Sequence, residues 1–178
     1  GIYCIISKPT ALWRWGFVCL GYFFMELNRK MIPEFNLWYT SKMKPLLRES
    51  EHHSIAGTVQ FLSGCWLTVF LFDKPIAMTA IYMFIWGDLI AAIVGKSIGM
   101  NKIIFNKTLE GTFAGLLAFI LVAYVCKISI LNQMLVTTLC ITSVIGTILE
   151  LFSKGNWDNF SVPIGIGLAL TYLPVFFS

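Results

Sequence analysis

Charge is scarce in this sequence. Asp, Glu, Lys and Arg make up 12% of its 178 residues, and 57% are hydrophobic, whereas a soluble domain carries about 25% charged residues. So little charge cannot cover the surface of a water-soluble domain, and the mean hydropathy of +0.78 agrees. Histidine is rarer still: the two, His52 and His53, are adjacent. Neighbours on a helix point about 100° apart and cannot share a metal as an i, i+4 pair does, so an interfacial position suits them. The five cysteines (Cys4, Cys19, Cys65, Cys126, Cys140) lie singly in apolar runs without a C-x-x-C pair. They read as small core residues, not as a zinc or disulfide framework. No serine, cysteine or histidine constellation supplies a covalent nucleophile. Gly95-Lys96-Ser97 lacks the rest of a phosphate-binding P-loop, which needs glycine where Ile90 stands and a strand before it. Internal repeats and low-complexity tracts are absent too. The net charge of +4 is spread between apolar runs, which signals membrane orientation and excludes a nucleic-acid surface.

What is present is a series of apolar runs. A spanning helix needs about 20 such residues, and the runs fall near 9–27, 53–72, 75–95, 109–126, 130–150 and 159–177, each bounded by charge, Pro or Asn. The predicted fold is therefore all-α. It is a polytopic membrane helix bundle with about six complete transmembrane helices, in one integral-membrane domain over residues 1–178. Pro9 and Pro75 suit first helical turns, and Asp73-Lys74-Pro75 and Lys127 to Asn132 make short turns. The connection from Asn28 to His53 interleaves Phe35, Leu37, Trp38, Met43, Leu46 and Leu47 with Lys42, Lys44, Arg48 and Glu49. That pattern predicts an interfacial amphipathic helix. The opening IYCII has no charged region before it, so it reads as the tail of a partial apolar segment, not a signal peptide. The G-x-x-x-G pairs Gly95–Gly99 and Gly111–Gly115 predict close helix packing, above all at the second.

If the spans alternate, Arg29, Lys30, Lys42, Lys44, Arg48, Lys96, Lys102, Lys107 and Lys154 share one side. Lys8, Arg14, Lys74 and Lys127 take the other. The positive-inside rule makes the first side cytosolic, so the sequons at Asn106 and Asn159 are expected to carry no glycan. The acids follow the bases: Glu26, Glu34, Glu49, Glu51, Asp88, Glu110, Glu150 and Asp158 fall on or near the basic side, and Asp73 alone opposite. Orientation does not require acids to join bases, whereas a chemical site does.

The most informative stretch runs from Gly87 to Gly115. Asp88 sits inside an apolar run, where a carboxylate costs roughly 2.5–3.5 kcal/mol and is a functional candidate by default. Lys96, Lys102 and Lys107 follow, then Glu110 and Gly111 as the next run opens. Lysines beside carboxylates at a membrane surface suit a metal-bound polyphosphate, and the helix N-terminus near Leu109 offers backbone N–H groups to it. Asp88 is expected to ligate Mg²⁺ or accept a proton from a lipid hydroxyl. Asp158, opening the last run, is the best second metal ligand, and Glu150 a weaker one. Arg48 offers a fixed positive fork for phosphate.

In order, R-x-x-E from Arg48 to Glu51, G-D-x-x-A-A-x-x-G-K-x-x-G from Gly87 to Gly99, K-T-x-E-G from Lys107 to Gly111 and D-N-x-x-x-P from Asp158 to Pro163 resemble the CTP-dependent lipid kinases. This family takes in dolichol, phytol and yeast-type diacylglycerol kinases and their bacterial polyprenol relatives, and is distantly similar to phosphatidate cytidylyltransferase. The resemblance implies transfer of the γ-phosphate of CTP to the hydroxyl of a membrane lipid alcohol, with Mg²⁺ or another divalent cation, at the cytosolic face of a bacterial inner membrane or the endoplasmic reticulum. It implies catalytic roles for Asp88 and Glu110. Nucleotide contacts would come from Arg48, Gly87, Gly95, Lys96, Gly99, Lys107, Gly111 and Asn159, joined by Lys102 as one of the loop's lysines, with metal ligation from Asp88 and Asp158 and support from Glu51. The partners implied are lipid, nucleotide and bilayer, with no nucleic acid and with a homodimer left open. The basic R-K pair and histidine that open such kinases have no counterpart here, so the amino-terminal end of the domain is expected to be missing. Two other readings stand beside the kinase: a cytidylyltransferase forming a CDP-lipid, and a transporter or scaffold. A transporter would be expected to have inverted repeats and spans broken by Gly or Pro, which are not evident.

Overall fold

A computed structural model describes residues 6–43, 56–105 and 107–177. Seven helices form among them: α1 Lys8–Met31, α2 Pro33–Met43, α3 Gly57–Leu71, α4 Lys74–Ser97, α5 Leu109–Ser129, α6 Val136–Phe152 and α7 Asp158–Phe177. Their starts follow local chemistry. The Ser7 hydroxyl accepts from the Thr10 amide and Pro9 occupies the first turn of α1. Pro75 does the same in α4. The Thr108 hydroxyl accepts from the Gly111 amide at 3.2 Å and caps α5, satisfying a donor that the first turn leaves without a helical partner.

By length and composition, α4, α5 and Asp158–Phe176 of α7 are long and apolar enough to cross a membrane, while α3 and α6 are shorter apolar helices. The architecture is thus an all-α bundle suited to a membrane, with three spanning-length apolar helices among the described residues where about six were expected. The reason is visible in each shortfall. At 15 and 17 residues, α3 and α6 rise about 22–26 Å, less than the roughly 30 Å of hydrocarbon. The run expected from 130 begins as a helix only at Val136, because Asn132 and Gln133 lie in a turn. α1 has the length but carries Lys8, Arg14, Glu26, Arg29 and Lys30.

The expected amphipathic helix is represented by α2, and its remainder, residues 44–53, lies outside the described residues. Phe35 clusters with Trp38 and Tyr39, with ring centroids 5.6 and 6.3 Å apart. Leu37 is exposed off that face, so α2 is only weakly two-sided.

Helices α4, α5, α6 and α7 form a four-helix unit in which α4 packs on α5 and α7, and α6 packs on the same two. Met83, Phe84, Phe119, Val162, Ile166 and Leu170 fill its core. α3 packs on α7, and α1 on α3, with Ala11, Cys65, Val69, Phe72 and Ala77 between them and α4. Lys8 Nζ donates to the Phe72 carbonyl (2.8 Å) and Lys74 Nζ to the Ile6 carbonyl (2.9 Å), which fixes one end of the bundle. Asn159 Nδ2 donates to the Gly57 carbonyl (3.4 Å) at the other. The helices therefore alternate in direction, and the residues near 57, 96, 108, 150 and 158 meet at one end.

Gly111 and Gly115 bring α5 against α4. A Cβ on Gly111 would lie 2.8 Å from the Ala91 carbonyl oxygen and 3.0 Å from Gly95 Cα, backbone atoms that cannot step aside. Gly111→Val is expected to destabilise the bundle by about 1–3 kcal/mol, the usual range for overpacking. The check is a denaturation midpoint in detergent beside Gly21→Ala. Gly21 has nothing within 4 Å of its Cβ position, and the midpoint of that variant should not fall.

Candidate active site

At that shared end, where α4 and α6 finish and α5 and α7 begin, the helices enclose a cavity of about 520 Å³. Asp88, Ala91, Ala92, Gly95 and Lys96 line it from α4, Gly111 and Thr112 from α5, Glu150 from α6 and Asp158 from α7. Phe105, Lys107, Thr108 and Gly155 come from the two connections. Three carboxylates and two ammonium groups, far apart in sequence, thus face one space.

The connection from α4 to α5 holds Lys107 in position. The Leu109 amide donates to the Asn101 carbonyl and the Ile103 amide to the Lys107 carbonyl, each at 2.8 Å. The Glu110 carboxylate accepts from Asn101 Nδ2 at 2.8 Å and from the Asn101 amide at 3.3 Å. Phe105 turns the chain with φ 50°, a left-handed conformation uncommon for a side chain of its size. Lys107 Nζ then reaches Asp158 Oδ2 at 3.1 Å, the Glu150 backbone carbonyl and Glu150 Oε1 at 3.9 Å. Asp158 and Glu150 are 8% and 7% exposed, so these charges are paired because they have left most of their water. Asp158 Oδ1 also accepts from the Asn159 amide at 2.9 Å, which places the acid at the positive end of α7.

The structure gathers Asp88, Gly95, Lys96, Lys107, Gly111 and Asp158 around the cavity. Glu110, Lys102, Gly87, Gly99 and Asn159 do not line it. Glu110 braces the loop at Asn101, and Lys102 pairs with Thr108 in a short backbone bridge. A Cβ on Gly87 would meet the Phe119 ring at 2.6 Å. Asn159 is bonded to the Gly57 carbonyl. Arg48, Glu51, His52, His53 and Asn106 lie outside the described residues. Thr108, within the K-T-x-E-G stretch, and Thr112, which no sequence signal singles out, join the lining. Glu150 had one, a lone acid closing an apolar run.

Among the described residues, no three His, Cys, Asp or Glu side chains stand close enough to hold a metal ion by themselves. The donors are nonetheless hard carboxylate oxygens. Mg²⁺ is commonly bound through one or two carboxylates while substrate phosphates and water complete its shell. The residues present fit an ion that arrives with phosphate.

Comparison with known proteins makes the chain a distant homologue of CTP-dependent diacylglycerol kinases and of phytol kinase over most of its length. It is 24% identical to CTP-dependent diacylglycerol kinase 1 of Saccharomyces cerevisiae, over 89% of this chain and 62% of that protein. Identity to the protein of the same name from Schizosaccharomyces pombe is 30%, over 52% of this chain and 44% of that one. Phytol kinase of Synechocystis is 33% identical over 74% of this chain and 60% of its own. The chain therefore spans less than two thirds of the length of these relatives. No family model matches it, and no solved structure does.

Proposed function

We propose that this chain transfers the γ-phosphate of CTP to the hydroxyl of a membrane lipid alcohol at the cytosolic face. One observation carries the reading: acids and lysines from three helices and one loop converge on one cavity at one end of an apolar bundle. A lipid alcohol stays in the bilayer and a nucleotide in water, so their reaction needs a polar site where spanning helices meet the aqueous phase. The distant homology to lipid kinases points the same way, and the excess of basic residues at this end supports a cytosolic orientation.

Phosphoryl transfer needs positioning and charge neutralisation more than covalent help. Lys96 and Lys107 would offset polyphosphate charge, with Arg48 as a further fork. Asp88 would take the proton of the lipid hydroxyl as that oxygen bonds to the γ-phosphorus. The bond from the γ-phosphorus to the β–γ bridging oxygen breaks, and CDP leaves. Ile85 and Leu89, exposed on α4 at 37% and 43%, lie within one turn of Asp88, so bilayer hydrocarbon comes close to the reacting group. Asp88 and Asp158 would hold Mg²⁺, which supplies further neutralisation when bound.

The test offers purified protein γ-labelled CTP or ATP with diacylglycerol, polyprenol and phytol in turn. Labelled phospholipid with CDP is the expected product. Pyrophosphate with a CDP-lipid would favour the cytidylyltransferase reading instead, and no turnover of any acceptor would overturn both.

A further inference from the structure

Glu150 enters no step above, yet it lines the same cavity and is nearly buried. An acid near the end of an apolar helix needs a cation, and here the cation is Lys107. Its single ammonium is surrounded by the Glu150 backbone carbonyl, Asp158 Oδ2 at 3.1 Å and Glu150 Oε1 at 3.9 Å. A carbonyl and two carboxylate oxygens around one positive charge are the kind of donors a hard divalent cation takes. The second Glu150 oxygen, Oε2, turns toward α4 and α5. A Cβ on Gly115 would lie 3.6 Å from it and 3.5 Å from the Gly87 carbonyl. The Glu150 carboxylate therefore bridges the depth between Lys107 and the turn of α4 that carries Asp88.

We infer that Glu150 is a further ligand of the divalent cation, and that the Lys107 ammonium holds the cation's place until metal and triphosphate arrive together and Lys107 moves to phosphate. This rests on the nucleotide-dependent reaction proposed above. It explains how one lysine can serve both carboxylates and nucleotide, since the same charge cannot do both at once. Metal and nucleotide should then enter as a pair, because metal alone must displace the ammonium without giving it a new partner.

The test measures Mn²⁺ binding to the nucleotide-free protein in detergent from the loss of the free-ion paramagnetic signal. Lys107→Met is expected to bind Mn²⁺ about tenfold more tightly than wild type, within the usual range of coupling between sites. Lys107→Arg, which keeps the charge, should bind as weakly as wild type. Adding Glu150→Gln to Lys107→Met should remove the gain. If Glu150 merely partners Lys107, the added change has no effect and the inference falls. Circular dichroism checks the fold, and Lys107→Gln replaces the Met variant should that one not fold. A wild type that turns over CTP while Lys107→Met binds Mn²⁺ no better loses this inference alone. No turnover together with no Mn²⁺ site in any variant loses the kinase reading as well.

Discussion

Asp88→Asn is expected to lower the proposed phosphate transfer from CTP by roughly a hundred- to ten-thousand-fold, the contribution typical of a positioned general base. The substitution keeps the shape of the side chain, so packing on α4 should survive. It would remove the charge proposed to accept the hydroxyl proton and one of the oxygens proposed to hold the cation. Glu110→Gln makes the informative partner, since both acids were candidates for the same proton. Glu110 lies at the loop, where it accepts from Asn101 Nδ2 at 2.8 Å and from the Asn101 amide. Its loss should loosen the loop and cost less than about tenfold, because a neutral amide can still accept from Asn101, a bond worth about 1 kcal/mol. Single-turnover rates with γ-labelled CTP and a saturating lipid alcohol separate the two variants. Full activity in Asp88→Asn, or a larger loss in Glu110→Gln, would reverse the assignment.

That contrast also marks how far the sequence could be read. The helix series was legible because apolar runs of spanning length need no tertiary information, and five of the six runs begin within a few residues of a helix start. The sixth, from 130, begins late because two amides too polar for the run sit in its first turn. The convergence of Asp88, Lys107 and Asp158 was legible from alternation alone, since antiparallel helices bring every second connection to the same end. The facing of Glu110 was not. Consecutive helical residues point about 100° apart, and Gly111 must face α4, where its Cα packs against Ala91 and Gly95. That turns Glu110 away from the cavity toward Asn101. Likewise the resemblance groups Gly87 and Gly99 with the nucleotide site, as parts of the block from Gly87 to Gly99, yet they serve close packing against Phe119 and Thr108.

One charged pair escaped the sequence altogether, and removing half of it should cost the most stability. Glu26 and Arg29 stand at i, i+3 on α1, with Oε1 2.5 Å from Nη2 and Oε2 3.1 Å from Nε. Arg29 is 3% exposed and Glu26 is 7%. The Ala56 amide donates to Glu26 Oε1 at 3.4 Å, and the guanidinium lies 5.8 Å over the Tyr39 ring. Glu26→Ala takes the carboxylate away from a buried guanidinium, and removing one partner of a buried pair costs about 3–5 kcal/mol. Replacing both at once, as Glu26→Leu with Arg29→Met, should return most of that loss, because apolar residues of similar volume carry no desolvation penalty. Denaturation midpoints in detergent measure both effects, and an unchanged midpoint in Glu26→Ala would mean that the pair bears no weight. The double variant also separates stability from function. Tyr39 and Ala56 flank the segment that carries Arg48 and Glu51, and the ion pair holds both. With the pair replaced by apolar side chains the bundle regains its stability but loses those two anchors. Arg48 is proposed above as a phosphate contact, so KM for CTP in the double variant should rise by roughly tenfold while kcat stays near that of wild type, as steady-state kinetics would show.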